Sequence, residues 1–153
     1  MKDIIGYENY AIDEDGNVYS KNYRRTGKTK KLKLFGNGHG YLCVGLYKDR
    51  KRKTKKVHRL LAQAYLPDFC KELDVDHIDR DRANNNLSNL RMVTEQQNKW
   101  NSGAKGYTFK KHLTKPWQAQ IMKDGKKIHL GYFAIEEDAR QAYLTAKETM
   151  HVI

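Results

Sequence analysis

Apolar and polar positions alternate loosely through residues 4–20, where Ile12 and Val18 flank the run Asp13-Glu14-Asp15-Gly16-Asn17. Acidic residues, Gly and Asn clustered between apolar flanks mark a turn, so a short hairpin is predicted here. Residues 21–33 are rich in Lys and Arg, with Gly27 as their breaker, and read as a mobile loop or an edge hairpin. Tyr41-Leu42-Cys43-Val44-Gly45-Leu46-Tyr47 has the content of a strand. The basic residues 48–56 are expected to form a connecting loop. Leu60, Leu61, Ala64 and Tyr65 recur at helical spacing before Pro67, which predicts a helix over 57–65.

Residues 73–77 are predicted as a strand, 78–88 as a polar loop and 90–94 as a returning strand. Thr94 and Gln97 have the spacing of a capping box, so a helix should start there and carry Asn98 near its beginning. The small, polar residues 101–105 are the best linker candidate. Beyond them Trp117, Ala119 and Ile121 alternate with Gln118, Gln120 and Met122, and Asp124-Gly125 is a two-residue hairpin signal. Strands are expected at 107–111, 117–122 and 127–133. A helix should follow over 135–147, with Ile135, Ala139, Ala142, Tyr143 and Ala146 on one face. Glu136, Glu137 and Asp138 fall in its first turn, where the helix dipole favours negative charge. The fold class is therefore α+β, with residues 1–100, a linker at 101–105 and a second unit at 106–153.

Charge sharpens this division. The 153 residues carry 30 Lys and Arg against 18 Asp and Glu, a net +12. Residues 20–59 hold fifteen of the basic side chains and one acid, Asp49. Such a belt favours a polyanionic partner over a solvated surface alone. Two cysteines, Cys43 and Cys70, form no C-x-x-C pair, which excludes a Cys₄ zinc site and argues against a disulfide framework. Both are expected to be buried thiols. No long apolar run and no signal-peptide h-region occur, so no membrane partner and a cytoplasmic location are expected.

The chemistry concentrates in one window. Asp76-His77 is followed by the carboxamides Asn89 and Asn98. An imidazole can take a proton from water near neutral pH, and hard oxygen donors suit Mg²⁺, so the set suits phosphodiester cleavage with one divalent metal. Adjacent strand residues point to opposite faces, so Asp76 and His77 can share a site only if the strand bends or ends there.

Val57-His58-Arg59-Leu60-Leu61-Ala62, Val75-Asp76-His77-Ile78-Asp79, Asn85-Asn86-Leu87-Ser88-Asn89-Leu90-Arg91 and Val93-Thr94 resemble the HNH endonucleases, most closely the phage homing type. Upstream, residues 5–10 and 16–20 look like the short N-terminal module that often precedes such domains. The resemblance implies a ββα-metal nuclease domain in which His77 is the general base. It also implies that Asp76 and Asn98 hold one Mg²⁺ or Mn²⁺ and that Asn89 braces the hairpin. The C-terminal unit is similar, more weakly, to the ethylene-response-factor type of DNA-binding domain. The similarity is carried by Gly106-Tyr107, residues 117–121, Leu130-Gly131-Tyr132-Phe133 and residues 136–143. It implies a three-stranded sheet that enters the major groove, although several arginines and tryptophans common there are replaced by Gln, Met and His.

The partner implied is double-stranded DNA. Lys51, Arg52, Lys53, Lys55 and Lys56 would follow its backbone without sequence choice. Arg59, Arg80, Arg82 and Arg91 are candidates for phosphate contact, with surface solvation the alternative for the last three. His58 either contacts phosphate, shapes the site or packs in the core. Thr108, Lys110, Gln118, Gln120, Met122, Lys127 and His129 would form the reading face, against the alternative of a plain polar sheet surface; Gln can pair bidentately with adenine. The expected activity is nicking of one strand at a loosely specified site by a monomer, a dimer being the route to cutting both. The rival is a DNA-binding regulator with an inactive nuclease domain.

Overall fold

The run Asp13–Asn17 turns the chain as its apolar flanks predict: Asp13 N bonds Asn17 O at 3.0 Å, and Asp13 Oδ1 accepts from Asn17 N at 2.8 Å. It joins β2 (Tyr7–Ile12) to β3 (Val18–Ser20), and β1 (Lys2–Ile4) and β4 (Lys30–Lys31) complete an antiparallel sheet in the order β1-β2-β3-β4. The structure is a computed structural model and describes residues 1–152. A second sheet follows, in the order β5 (Phe35–Gly36), β6 (Leu42–Lys48), β7 (Lys51–Lys56).

That last strand corrects the sequence reading, which made the basic run a loop. Lys51–Lys56 pairs residue by residue with β6, from Lys48↔Lys51 to Cys43↔Lys56. Asp49 and Arg50 have φ of 50° and 60°, the left-handed pair of a hairpin turn matched to strand twist. Cross-strand pairing imposed by β6 outweighs the absence of apolar alternation in the run itself.

Helix α1 (Val57–Tyr65) follows without a break, ends before Pro67, and buries Val57, His58, Leu60, Leu61 and Ala62. The helix packs with Ile12, Val18, Val44, Leu46, Val75 and Leu90 in the core of the N-terminal unit. Full burial of a side chain such as Leu61 or Leu46 stabilises by about 1.5–3 kcal/mol. Strands β8 (Asp74–His77) and β9 (Leu90–Val93) form a two-stranded ribbon, with a turn of 3₁₀-helix at Leu87–Asn89 just before β9.

Helix α2 (Glu95–Trp100) opens the second unit: the chain divides into residues 1–94 and a unit that begins at Glu95. The division thus precedes the linker expected at 101–105. In the second unit β10 (Tyr107–Phe109), β11 (Trp117–Lys123) and β12 (Lys126–Phe133) form an antiparallel sheet in sequence order. Asp124 and Gly125, with φ of 49° and 72°, make the predicted tight turn. Helix α3 (Glu136–Met150) buries Ala139, Tyr143 and Ala146. Ile121, Tyr143 and Ala146 form its core. Ile135, expected on the apolar face, instead caps the helix N-terminus in an extended conformation and is 57% exposed.

The architecture is mixed α+β, as the pattern implies. Among the described residues no helix is long and apolar enough to cross a membrane. Cys43 is buried, whereas Cys70 is half-buried and its thiol donates to Glu72 Oε2 at 2.7 Å, so the expectation of two buried thiols holds for Cys43 alone.

Candidate active site

Strand β8 is four residues long, and its last three, Val75, Asp76 and His77, are each under 10% exposed. Antiparallel register sets Asp76 opposite Arg91 and His77 opposite Leu90. Alternation then sends Asp76 and His77 to different faces of the ribbon. The strand ends at His77, where Arg80 N bonds His77 O at 2.9 Å and Arg80 takes a left-handed φ of 68°. The site therefore sits where the regular ladder stops.

On one face, Asp76 Oδ2 accepts from Arg91 Nε at 3.0 Å and lies 2.9 Å from Nη2. On the other, His77 Nε2 lies 3.2 Å from Asn85 Oδ1. A carboxamide oxygen can only accept, so Nε2 is the donor and the imidazole lone pair resides on Nδ1. The His77 ring meets His58 edge-on at 5.0 Å and Tyr41 at 6.0 Å. Tyr41 is itself 4.9 Å from His58, with Lys56 Nζ and Arg82 Cζ over its ring at 4.4 and 5.0 Å. Asn85, His58 and Tyr41 are thus among the neighbours of His77, and local pattern named only His58 as a candidate. The Asn84-Asn85-Asn86 run was a signal of polar loop geometry but did not identify which amide faces the imidazole.

His58 is 3% exposed, and its Nδ1 is buried without a hydrogen-bond partner. Burial first, then the charges of His77, Lys56 and Arg59, pushes its pKa down from 6.5 to about 3. It is a neutral, core-packed ring against His77, which selects among the alternatives left open by the sequence.

Asn89 organises the loop between the ribbon strands. Its Oδ1 accepts from Asp79 N at 3.0 Å, and its Nδ2 donates to Asp79 Oδ1 and to Asn84 O, both at 2.9 Å. Asn84 Nδ2 donates to Asp79 Oδ2 at 2.7 Å. Those donors, Asn84 ahead of Asn89, hold the Asp79 carboxyl below the usual aspartate range. Asn98 lies half-buried in α2, in the second unit.

Among the described residues no group of three or more His, Cys, Asp and Glu is arranged to hold a metal. A cation of the Mg²⁺ type, which binds through one or two carboxylates and keeps several waters, asks for less than such a cage. Asp76 is one such carboxylate in the first unit, and the amide of Asn98 in the second carries a hard oxygen of its own.

The candidate phosphate-binding arginines fare differently. Arg59 Nη2 donates to Lys71 O at 3.4 Å and both its Nη groups reach Leu73 O at 3.5 Å, tying α1 to the segment before β8. Arg82 Nη1 donates to His39 O at 3.0 Å, and Arg91 is engaged by Asp76. Arg80 is exposed. In the basic strand, Lys51 and Lys53 are exposed, Lys55 Nζ lies 5.5 Å over Tyr7, and Arg52 Cζ lies 5.4 Å over Phe35.

In the second unit the pairs Gln118↔Tyr132, Gln120↔His129 and Met122↔Lys127 share one face of the sheet, with Thr108 opposite Gln118 on the other side. Lys110 follows β10, exposed, and its N donates to Pro116 O at 2.6 Å. Ile128 and Leu130 share the core side by alternation, and the register shift after Ala119, which skips Leu130, brings Tyr132 to the face of His129. Tyr132, 45% exposed and 4.6 Å from His129, belongs to this face although the sequence reading left it out.

The sequence model of the HNH endonuclease family matches residues 55–99, which contain the ribbon, its loop and α1. The DNA endonuclease I-HmuI of Bacillus phage SP01 is 38% identical over 128 residues, covering 83% of this chain and 69% of that one. The H-N-H endonuclease F-TflII of Escherichia phage T5 is 37% identical over 101 residues, covering 65% of this chain but only 50% of its own length. A solved structure described as DNA binding and cleavage by the HNH homing endonuclease I-HmuI aligns with a TM-score of 0.58 and 42% identity. It covers 65% of this chain and 55% of the solved one. With His77 at the end of a two-stranded ribbon, an amide-braced loop beside it and a relative matched over most of both chains, the protein belongs to the HNH endonuclease family.

Proposed function

We propose that the protein is a metal-dependent DNA endonuclease of the homing type that nicks one strand at a loosely specified site. The observation that carries this reading is the pairing of His77 Nε2 with Asn85 Oδ1, which leaves Nδ1 as the basic nitrogen at the end of β8. His77 Nδ1 takes a proton from the attacking water, and Asn85 holds the ring in the tautomer that can do so. His58 and Tyr41 restrict the ring plane by packing. Asp76, oriented by Arg91, and Asn98 are the residues that would hold a single Mg²⁺ or Mn²⁺. Such an ion, when bound, supplies Lewis-acid stabilisation of charge on the scissile phosphate and the departing 3′ oxygen. Asn89 acts through the loop it braces.

Lys51, Lys53 and their neighbours in the basic strand would track phosphates, adding affinity that salt weakens. The sheet of the second unit, in its likeness to ethylene-response-factor domains, would bias the site through Gln118, Gln120, His129 and Tyr132. One catalytic set per chain makes a monomer that nicks the simplest form, acting in the cytoplasm of a bacterial host.

Incubation of the pure full chain with supercoiled plasmid and Mg²⁺ tests the reading. Open-circle product is expected with Mg²⁺ and none with chelator. His77→Ala should abolish cutting while DNA affinity persists. DNA binding without nicking under Mg²⁺ or Mn²⁺ would overturn the proposal in favour of a regulator with an inactive nuclease domain.

A further inference from the structure

Helix α2, which carries Asn98, is held at both ends by parts of the C-terminal unit. Strand β10 pairs with β11 only from Phe109↔Trp117 to Tyr107↔Ala119, so beyond Ala119 that edge of β11 has no strand beside it. Edge groups left open in this way need other partners. Gly106 O accepts from Gln120 N at 2.8 Å. Farther along, His151 Nε2 donates to Met122 O at 2.8 Å, and Gln96 Nε2 donates to Asp124 Oδ1 at 3.1 Å.

The His151 ring also stacks on the Trp100 indole, centroids 4.7 Å apart and planes 5° from parallel. Its Nδ1 is buried without a hydrogen-bond partner. Between these ties lies a cavity of about 540 Å³ whose walls include Gln96, Trp100, Met122, Tyr143 and His151. A six-residue helix gains little from its own hydrogen bonds, because nucleation is unfavourable and so short a run recovers little. The ties of Gln96 to Asp124 and of Trp100 to His151 fasten its two ends.

We infer that His151 and Trp100 are positioning residues for Asn98: their stack, anchored on the Met122 carbonyl, sets the register of α2 and so the presentation of the Asn98 amide oxygen to a divalent cation. This rests on Asn98 being a metal ligand. Neither ring touches the reacting atoms, and a supporting shell of this kind is worth as much to a metal site as a weak ligand.

The test uses the full chain with Asn98→Ala, His151→Ala and Trp100→Ala, and with His151→Phe, which keeps an aromatic ring for the stack. Amide exchange over residues 95–100 is measured without metal, and Mn²⁺ binding is measured by electron paramagnetic resonance. His151→Ala and Trp100→Ala should accelerate exchange in α2 and weaken Mn²⁺ binding by at least roughly tenfold, while metal-free DNA affinity is unchanged. His151→Phe should restore much of both. Wild-type exchange and wild-type Mn²⁺ binding in both alanine variants would overturn the inference. If Asn98→Ala alone leaves Mn²⁺ binding unaltered, the ligand assignment itself fails; if it weakens binding and the two ring variants do not, only the positioning role fails.

Discussion

Arg91 reaches Asp76 Oδ2 with two nitrogens, Nε at 3.0 Å and Nη2 at 2.9 Å, from the directly opposite position of the β8–β9 ladder. Asp76 is 6% exposed, and that guanidinium lies in direct contact with its carboxylate. Losing the partner of a fully buried ion costs roughly 3–5 kcal/mol. The Arg91 side chain is 28% exposed, which admits solvent screening, and Arg91→Ala is therefore expected to destabilise by about 2 kcal/mol. Denaturant unfolding of the full chain measures this. A loss below about 0.5 kcal/mol, the ordinary range of surface substitutions, would mean that water replaces the arginine.

Asn89 joins three groups of the loop, Asp79 N, Asp79 Oδ1 and Asn84 O. At about 1 kcal/mol net for each hydrogen bond, Asn89→Ala should cost about 2–3 kcal/mol. Asn89→Asp is the sharper test, since it keeps the acceptor but turns an oxygen towards Asp79 Oδ1 and Asn84 O. It should be at least as destabilising as the alanine variant and should slow nicking with little change in DNA affinity. An aspartate variant with wild-type stability would show that the loop does not depend on the amide donor.

What could be read from the sequence was what neighbours in the chain decide. The helix at 57–65 and the Asp124-Gly125 turn follow from spacing and from a dipeptide, and both are found. The Asp76-His77 window was visible as chemistry because the two residues are adjacent. Lys51–Lys56 was not legible as a strand, because five basic residues in six leave no apolar alternation and the partner strand supplies the conformation. The surroundings of His77 were hidden for a related reason. Tyr41 immediately precedes β6 and His58 lies in α1, and Asn85 is singled out from two neighbouring asparagines only by the bend of the loop. Arg91 was legible only as a candidate for phosphate contact or a solvated surface residue, because its place opposite Asp76 is set by cross-strand register.

The depressed His58 pKa gives stability a sign in pH. Unfolded chains protonate this residue near 6.5, while the buried ring stays neutral down to about 3. Between those values the unfolded state binds more protons, so stability falls as pH is lowered. The His58 contribution is complete above pH 6.5 and drains away towards pH 3, at up to about 1.4 kcal/mol per unit. His58→Gln should lower stability at neutral pH and flatten the curve by close to one proton across pH 4–6, a window on the order of that interval. Parallel curves for the two proteins would show that His58 is solvated when folded.

The exposed lysines of the basic strand predict a salt effect rather than a sequence effect. Lys51→Ala and Lys53→Ala should each reduce the slope of log affinity against log salt by about 1, equally on unrelated DNA sequences. Arg52→Ala should in addition cost stability, because its guanidinium lies over Phe35 and against the backbone at Gly45. Fluorescence anisotropy across a salt series checks the slopes, and denaturant unfolding checks the stability of the Arg52 variant. Unchanged slopes for both lysine variants would place the phosphate path elsewhere.

Gly106 is required twice over. Its φ of +68° is one that side-chain-bearing residues rarely adopt, and a Cβ added there would overlap the ring carbons of Tyr143. That ring is 7% exposed and belongs to the core of the second unit. The backbone term is worth about 1 kcal/mol and the overpacking about 1–3, so Gly106→Ala should destabilise this unit by about 3 kcal/mol. The two terms separate in a double-mutant cycle with Tyr143→Ala. Truncating the ring removes the overlap but not the backbone strain, so the paired variant should lose about 1–2 kcal/mol less than the sum of the singles. Strict additivity would mean that the chain at Gly106 shifts away from the ring, leaving conformation as the whole demand for glycine.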